Sequence, residues 1–166
     1  MNGRKYVYRR NLPHIEKEDW PHFVTFVTYR RWELPPAARD AVLSHCLHDN
    51  GTKLRVHAVV VMPDHVHTIF TPLRCLTGDP FTFEEIVGAM KGASAHSINR
   101  LLSRSGSVWL DESFDHVVRS AESVNAKCEY ICDNPVRKGL VARREDYRWL
   151  WIEPGCTAEG GCATQE

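Results

Sequence analysis

Two histidines stand two residues apart in the stretch 59–70, VVVMPDHVHTIF. In an extended chain residues i and i+2 project to the same side, so His65 and His67 face one way and Val66 the other. Two imidazoles side by side, directly after the tight turn Pro63-Asp64, can grip one divalent cation. The same pair can equally do no more than fill the polar face of a sheet. A second stretch, 130–140 (YICDNPVRKGL), sets a tyrosine and an asparagine four apart. On a helix Tyr130 and Asn134 share a face. A tyrosine on an amphipathic helix is most often core, and Asn before Pro is most often a helix stop. Neither residue identifies a site by itself.

The surrounding pattern predicts the elements that would position these groups. Residues 22–29 (HFVTFVTY) alternate apolar with polar and are rich in aromatic and β-branched types, which reads as a strand. Residues 54–62 (LRVHAVVVM) read as a central strand, and 65–71 as its hairpin partner across Pro63-Asp64. Between them, 37–51 follows Pro35-Pro36 with helical spacing and ends in Gly51. Thr82 and Glu85 have the spacing of a capping box, opening a helix that should run to about Leu102 despite Gly88 and Gly92. Residues 108–119 read as a further strand. Ser120 is a good N-cap for a last helix from Ala121 to about Asp133, which Asn134-Pro135 should stop before a turn at Gly139. From Pro154 onward the chain is small, polar and glycine-rich, a composition that predicts disorder. The sum is an α+β fold, an antiparallel sheet with helices packed on one face.

A chain of 166 residues, 43% hydrophobic and 25% charged, is sized for one domain with a real core. It contains no apolar run of the roughly 18 residues that a membrane span needs. The basic N-terminus, MNGRKYVYRR, has no apolar stretch behind it, so an intracellular protein is expected. The formal net charge is zero, but its distribution is uneven. The last 16 residues hold Glu153, Glu159 and Glu166 and no Lys or Arg, which leaves 21 basic against 18 acidic residues in the rest. Arg4, Lys5, Arg9 and Arg10 cluster, as do Arg137, Lys138, Arg143, Arg144 and Arg148. Such clusters suit nucleic acid, and they also suit a solvated face. The six cysteines (46, 75, 128, 132, 156 and 162) complete no zinc spacing, and in a reducing compartment they are expected to be unpaired thiols.

The two chemical stretches together carry a specific resemblance. His65-Val66-His67, within M-P-D-H-V-H, and Tyr130 at the head of Y-I-C-D-N-P-V-R-K-G-L-V resemble the motifs of the REP-associated tyrosine transposases, a group of the single-tyrosine HUH superfamily. FVTFVTYRR resembles that family's first strand, and W-x-x-x-x-F-D-H-V-V-R at 109–119 its block ahead of the catalytic helix. The similarity spans 20–149, while Trp20-Pro21-His22 departs from the family's usual G-x-x-x-Y-x-x-T-type segment. The resemblance implies a ferredoxin-like HUH sandwich over 1–152, with 153–166 as a tail. It implies a metal-dependent single-strand DNA endonuclease and strand-transferase acting on hairpin-containing DNA. Tyr130 would be the nucleophile, forming a 5′-phosphotyrosine, and His65, His67 and Asn134 would hold Mg²⁺ or Mn²⁺. Lys91, Arg100 and Arg104, read as lying on the middle helix, and Arg137 after the last one are expected to contact phosphates. The expected partner is single-stranded or hairpin DNA, with no membrane, in the cytoplasm and on the nucleoid when DNA-bound, as a homodimer or a monomer. Two other readings compete. A histidine-triad nucleotide hydrolase would want a third histidine at position 69, where Ile69 stands. A domesticated relative could bind DNA hairpins without cutting them.

Overall fold

In the strand Leu54–Val61, every residue from Ala58 to Val61 is buried, so this strand is covered on both faces. A sheet built on such a strand needs apolar layers above and below it. The computed structural model, which describes residues 19–156, has that architecture. In chain order the elements are β1 (His22–Thr28), α1 (Pro36–Leu47), β2 (Leu54–Val61), β3 (His65–Pro72), α2 (Phe83–Leu101), β4 (Trp109–Val117), α3 (Ala121–Arg137) and β5 (Leu150–Ile152). All pairings are antiparallel, in the order β4-β1-β3-β2-β5. The first six elements form the β-α-β-β-α-β unit of ferredoxin-like folds, with β5 added at an edge.

Val24 and Phe26 of β1, and Val66 and Phe70 of β3, point into one core with Val42 of α1 and Ile86, Met90 and Ile98 of α2. Phe23 and Ile69, from the alternate positions, join Ala58, Val60 and Met62 in a second core with Cys128 and Ile131 of α3. The α+β class and the antiparallel sheet are as the sequence implies. The helices, however, are not confined to one face: α1 and α2 cover one side and α3 the other. The unbroken apolar run of β2 carries the physical reason, because each of its faces must be kept from water.

Local signals explain the helix starts. At α2 the Thr82 backbone N–H donates to Glu85 Oε2 at 2.8 Å, and the Glu85 N–H donates to Thr82 Oγ1 at 3.2 Å. At α3 the Ser120 hydroxyl accepts from the Ser123 N–H at 3.1 Å. The predicted stop at Asn134-Pro135 does not occur, and α3 runs on to Arg137. Pro135 removes only the N–H that would have reached the carbonyl of Ile131. Its ring is buried, and the helix closes one turn later in a Schellman motif. There Leu140 N–H donates to Pro135 O and Gly139 N–H to Val136 O, each at 2.9 Å, with Gly139 at φ 70°.

The C-terminal part of the described chain is more ordered than its composition suggests. β5, which the sequence does not announce, pairs with β2 through Val59↔Trp151 and its neighbours. Glu153, assigned above to the tail, accepts from Arg55 Nε at 2.7 Å and lies 3.1 Å from His57 Nδ1. Cys156 forms a disulfide with Cys128 of α3, which corrects the expectation of unpaired thiols throughout. Cys46, Cys75 and Cys132 are free. The rest of the predicted tail (157–166) and the basic cluster of Arg4, Lys5, Arg9 and Arg10 lie outside the described residues. Among the described residues no helix is long and apolar enough to cross a membrane.

Replacing Gly139 with alanine puts a Cβ on a left-handed residue at the end of α3. The expected cost is about 1 kcal/mol. It is read as a lower urea midpoint with an unchanged slope, and an unmoved midpoint would show that the Schellman end contributes nothing.

Candidate active site

β1 and β3 pair so that Thr25 lies opposite His67 and Val27 opposite His65. Both imidazoles therefore sit on the α3 side of the sheet, their ring centroids 4.7 Å apart. Each ring is held at Nδ1. His65 Nδ1 lies 2.6 Å from Asp64 Oδ1, and His67 Nδ1 lies 2.7 Å from Thr25 Oγ1. Burial alone would raise the Asp64 carboxyl, but the hydrogen bond from His65 and the charges of His65 and Arg31 hold it below the ordinary range. Ionised, Asp64 accepts a proton-bearing Nδ1 and leaves the lone pair of His65 on Nε2. The Thr25 hydroxyl fixes the orientation of the His67 ring through its Nδ1. His67 is 8% exposed, and burial, reinforced by His65, Lys138 and Lys127, pushes its pKa down to about 3. It is therefore neutral near pH 7, the form that binds metals.

Across from the histidines, α3 brings its polar stripe over β3. The Tyr130 ring centroid is 5.6 Å from that of His67 and 5.9 Å from that of Phe23, edge-on to both. Tyr130 is 37% exposed, so its hydroxyl is within reach of solvent or substrate. Asn134, one turn further on, is 4% exposed, and its Oδ1 has no hydrogen-bond partner among the described residues. A buried amide oxygen without a partner costs about 1–3 kcal/mol, unless something else supplies the missing contact. Cations crowd the same place. The Arg137 guanidinium stands 5.2 Å from the Tyr130 ring, and the Lys127 ammonium 4.7 Å from the Phe23 ring.

Of the residues singled out in the sequence, Tyr130, His65, His67 and Arg137 come together here, and Asn134 is buried one turn beyond Tyr130 on the same helix. Lys91, Arg100 and Arg104 do not join them, because α2 lies on the other face of the sheet. Lys91 donates to the carbonyls of Leu110 and Asp111 at 2.7 and 2.8 Å, and so ties α2 to β4. Arg104, past the end of α2, stacks at 4.2 Å on Trp32. Arg100 is exposed and has no partner among the described residues. Lys127, Thr25, Asp64 and Phe114 were not singled out as site residues. Lys127 precedes Tyr130 by three and could have been found by reading the helix face. Thr25 and Phe114 are opposite one another only in the folded register, and Phe114, 61% exposed, lies on the histidine face.

No group of three or more His, Cys, Asp or Glu that could hold an ion occurs among the described residues. A cation here therefore depends on Asn134 as third protein ligand beside His65 and His67. The donor set fits one: two neutral imidazoles and an amide oxygen that lacks any other partner.

No protein-family model matches the chain, and no curated protein matches it. Among solved structures it is similar to a REP-associated tyrosine transposase bound to a REP hairpin. That match has 22% identity, a TM-score of 0.63, and covers 80% of this chain and 76% of the other. Looser likenesses are a provisionally assigned transposase from Deinococcus radiodurans R1 and a bacterial tRNA(His) guanylyltransferase-like protein in complex with GTP. The first has 23% identity, covers 79% of this chain and 95% of the other, and has a TM-score of 0.46. The second has 14% identity, covers 81% and 71%, and has a TM-score of 0.49. The first-named structure shares the fold that the motifs imply.

Two outcomes follow from the site. Thr25→Val removes the hydrogen bond that orients His67, so if this pair takes up Mn²⁺ the affinity measured by calorimetry should fall about 10–100-fold. In metal-free protein, unfolded His67 takes up a proton below about pH 6.5 that the folded ring refuses until about pH 3. Stability should thus fall as the pH drops through that window. Urea midpoints should lose less over it in His67→Gln, and equal losses would remove His67 as the cause.

Proposed function

We propose that this chain is a tyrosine transposase of the HUH type, which cuts and rejoins single-stranded DNA in hairpin-containing substrates. The observation that carries the reading is the approach of Tyr130, on a distant segment, to the His65–His67 pair, with the unpartnered Asn134 oxygen one helical turn further along α3. The fold shared with a transposase bound to a REP hairpin supports a hairpin DNA partner.

In this mechanism the Tyr130 oxygen attacks the scissile phosphorus and the 3′-oxygen leaves. The phenolic proton is lost, and the departing alkoxide gains one. The products are a 5′-phosphotyrosine and a free 3′-hydroxyl. Because the new ester keeps the energy of the old one, a second 3′-hydroxyl can reverse the step and join a different strand. His65, His67 and Asn134 would hold Mg²⁺ or Mn²⁺, which when bound polarises a non-bridging phosphate oxygen and orients the phosphate for in-line attack. Arg137, Lys127 and Lys138 set positive charge around the position that phosphate would occupy. Asn134 lies one helical turn from Tyr130, so ligand and nucleophile move as one body.

The test is a labelled single-stranded hairpin incubated with protein and Mn²⁺, then run on a denaturing protein gel. Label should migrate with the unaltered protein and with Lys91→Ala. It should be absent from Tyr130→Phe, although that variant still binds the DNA. Tight binding without any adduct from the unaltered protein, whatever the hairpin or metal, would instead mark a DNA-hairpin-binding module without cleavage.

A further inference from the structure

On its face of the sheet α3 lies over β2 and β3, so among the described residues β1 and the edge strand β4 flank it as an open margin. Val124, Lys127 and Tyr130 follow one another at three-residue steps along the helix side of this margin. Phe114 and His116 alternate along its β4 side, in register with Thr25 and Phe23 of β1. At the end remote from the histidines the margin opens into a cavity of about 410 Å³, walled by Trp20, Pro21, Val118 and Val124. That volume is within the range of small-molecule sites, roughly 300–1,000 Å³. His57 also lines it, but both ring nitrogens are taken by Glu153 and Thr71, so it adds no free donor. The Ser120 hydroxyl at the wall is taken up by Ser123, which leaves Asn125 and Arg119, whose side chains have no protein partner among the described residues.

A DNA strand offers two chemistries, an anionic backbone and flat apolar bases. An apolar cavity with one guanidinium and one amide at its wall suits a base inside and a phosphate outside. Two rulers place it relative to the nucleophile. Val124 precedes Tyr130 by six residues of helix, about 9 Å. Pro21 precedes Thr25, the partner of His67, by four residues of strand, about 13 Å. A stacked strand at ~3.4 Å per nucleotide covers that distance in about three nucleotides. Lys127 stands between the two ends, where it can meet an intervening phosphate.

We propose that this cavity is a nucleobase subsite, holding one unpaired base about three nucleotides from the phosphate that Tyr130 attacks, with Trp20 as its stacking surface. The inference rests on the DNA-processing reading above and adds to it a reason for strand selectivity. A base inside a duplex is stacked and paired and cannot enter, whereas an unpaired base enters at little cost. Asn125 bonds the edge of the base and Arg119 its own phosphate.

The experiment uses the full chain as Tyr130→Phe, with single-stranded oligonucleotides carrying 2-aminopurine at each position in turn. Emission should be quenched strongly at one position, or two adjacent ones, and only weakly elsewhere. Trp20→Ala in the same background should abolish that local quenching and weaken binding roughly tenfold. Val124→Phe, which fills the cavity while leaving Trp20 in place, should also remove it, with circular dichroism confirming that both variants are folded. Uniform small changes at every position, from oligonucleotides that do bind, would overturn the subsite and leave the function standing. Failure of every oligonucleotide and hairpin to bind would overturn the function itself, and the subsite with it.

Discussion

The register of β1 against β3 is the constraint on which the rest of the molecule depends. Thr25 must stand opposite His67 for the hydroxyl to hold the imidazole, and Val24 must stand opposite Thr68 for the other face to close over α1 and α2. Side chains alternate with a period of two, so a slip of one residue would drive both histidines into the apolar core and turn Val66 and Phe70 toward α3. The burial of Val24, Phe26, Val66 and Phe70 therefore does more than stabilise the sheet. It makes the misregistered sheet prohibitively costly, and so keeps the imidazoles where they are.

The second requirement is a rigid α3. Tyr130 and Asn134 stand one helical turn apart, and the helix that carries them continues past Pro135, whose ring is buried, to an end closed by Gly139. The C-terminal segment braces the arrangement. β5 extends the sheet beyond β2, Tyr147 donates to the carbonyl of Val61 at 2.8 Å, and Cys156 is joined to Cys128, two residues ahead of Tyr130. A side chain on a loop would wander, whereas one on a helix tied to the C-terminal segment keeps its place over the sheet.

Electrostatics are local. A chain of zero net charge has no long-range pull on DNA, yet Lys127, Arg137 and Lys138 gather around Tyr130 and His67. These cations lie on the stripe that also carries Tyr130, while Lys91 and Arg104 are engaged with Leu110, Asp111 and Trp32 on the far side. Position on a face, rather than the count of basic residues, decides which of them can meet a phosphate.

Much of this was legible in the residues themselves. The strands, the Thr82–Glu85 box, the Ser120 cap and the shared direction of His65 and His67 are local, set by periods of two and 3.6 and by capping chemistry that involves only a few neighbours. The motif around Tyr130 likewise named its own candidates. Packing decided the remainder, because it depends on residues far apart in the chain. The apolar run of β2 demanded cover on both faces, but only the fold put α3 there alone. Burial of Pro135 overrode a helix stop, and pairing with β2 made a strand of 150–152, a partner no local signal names. Thr25, Lys127 and Phe114 became neighbours of the site through register and docking, and Asn134, already a candidate ligand from its motif, proved to have its oxygen buried without a partner among the described residues.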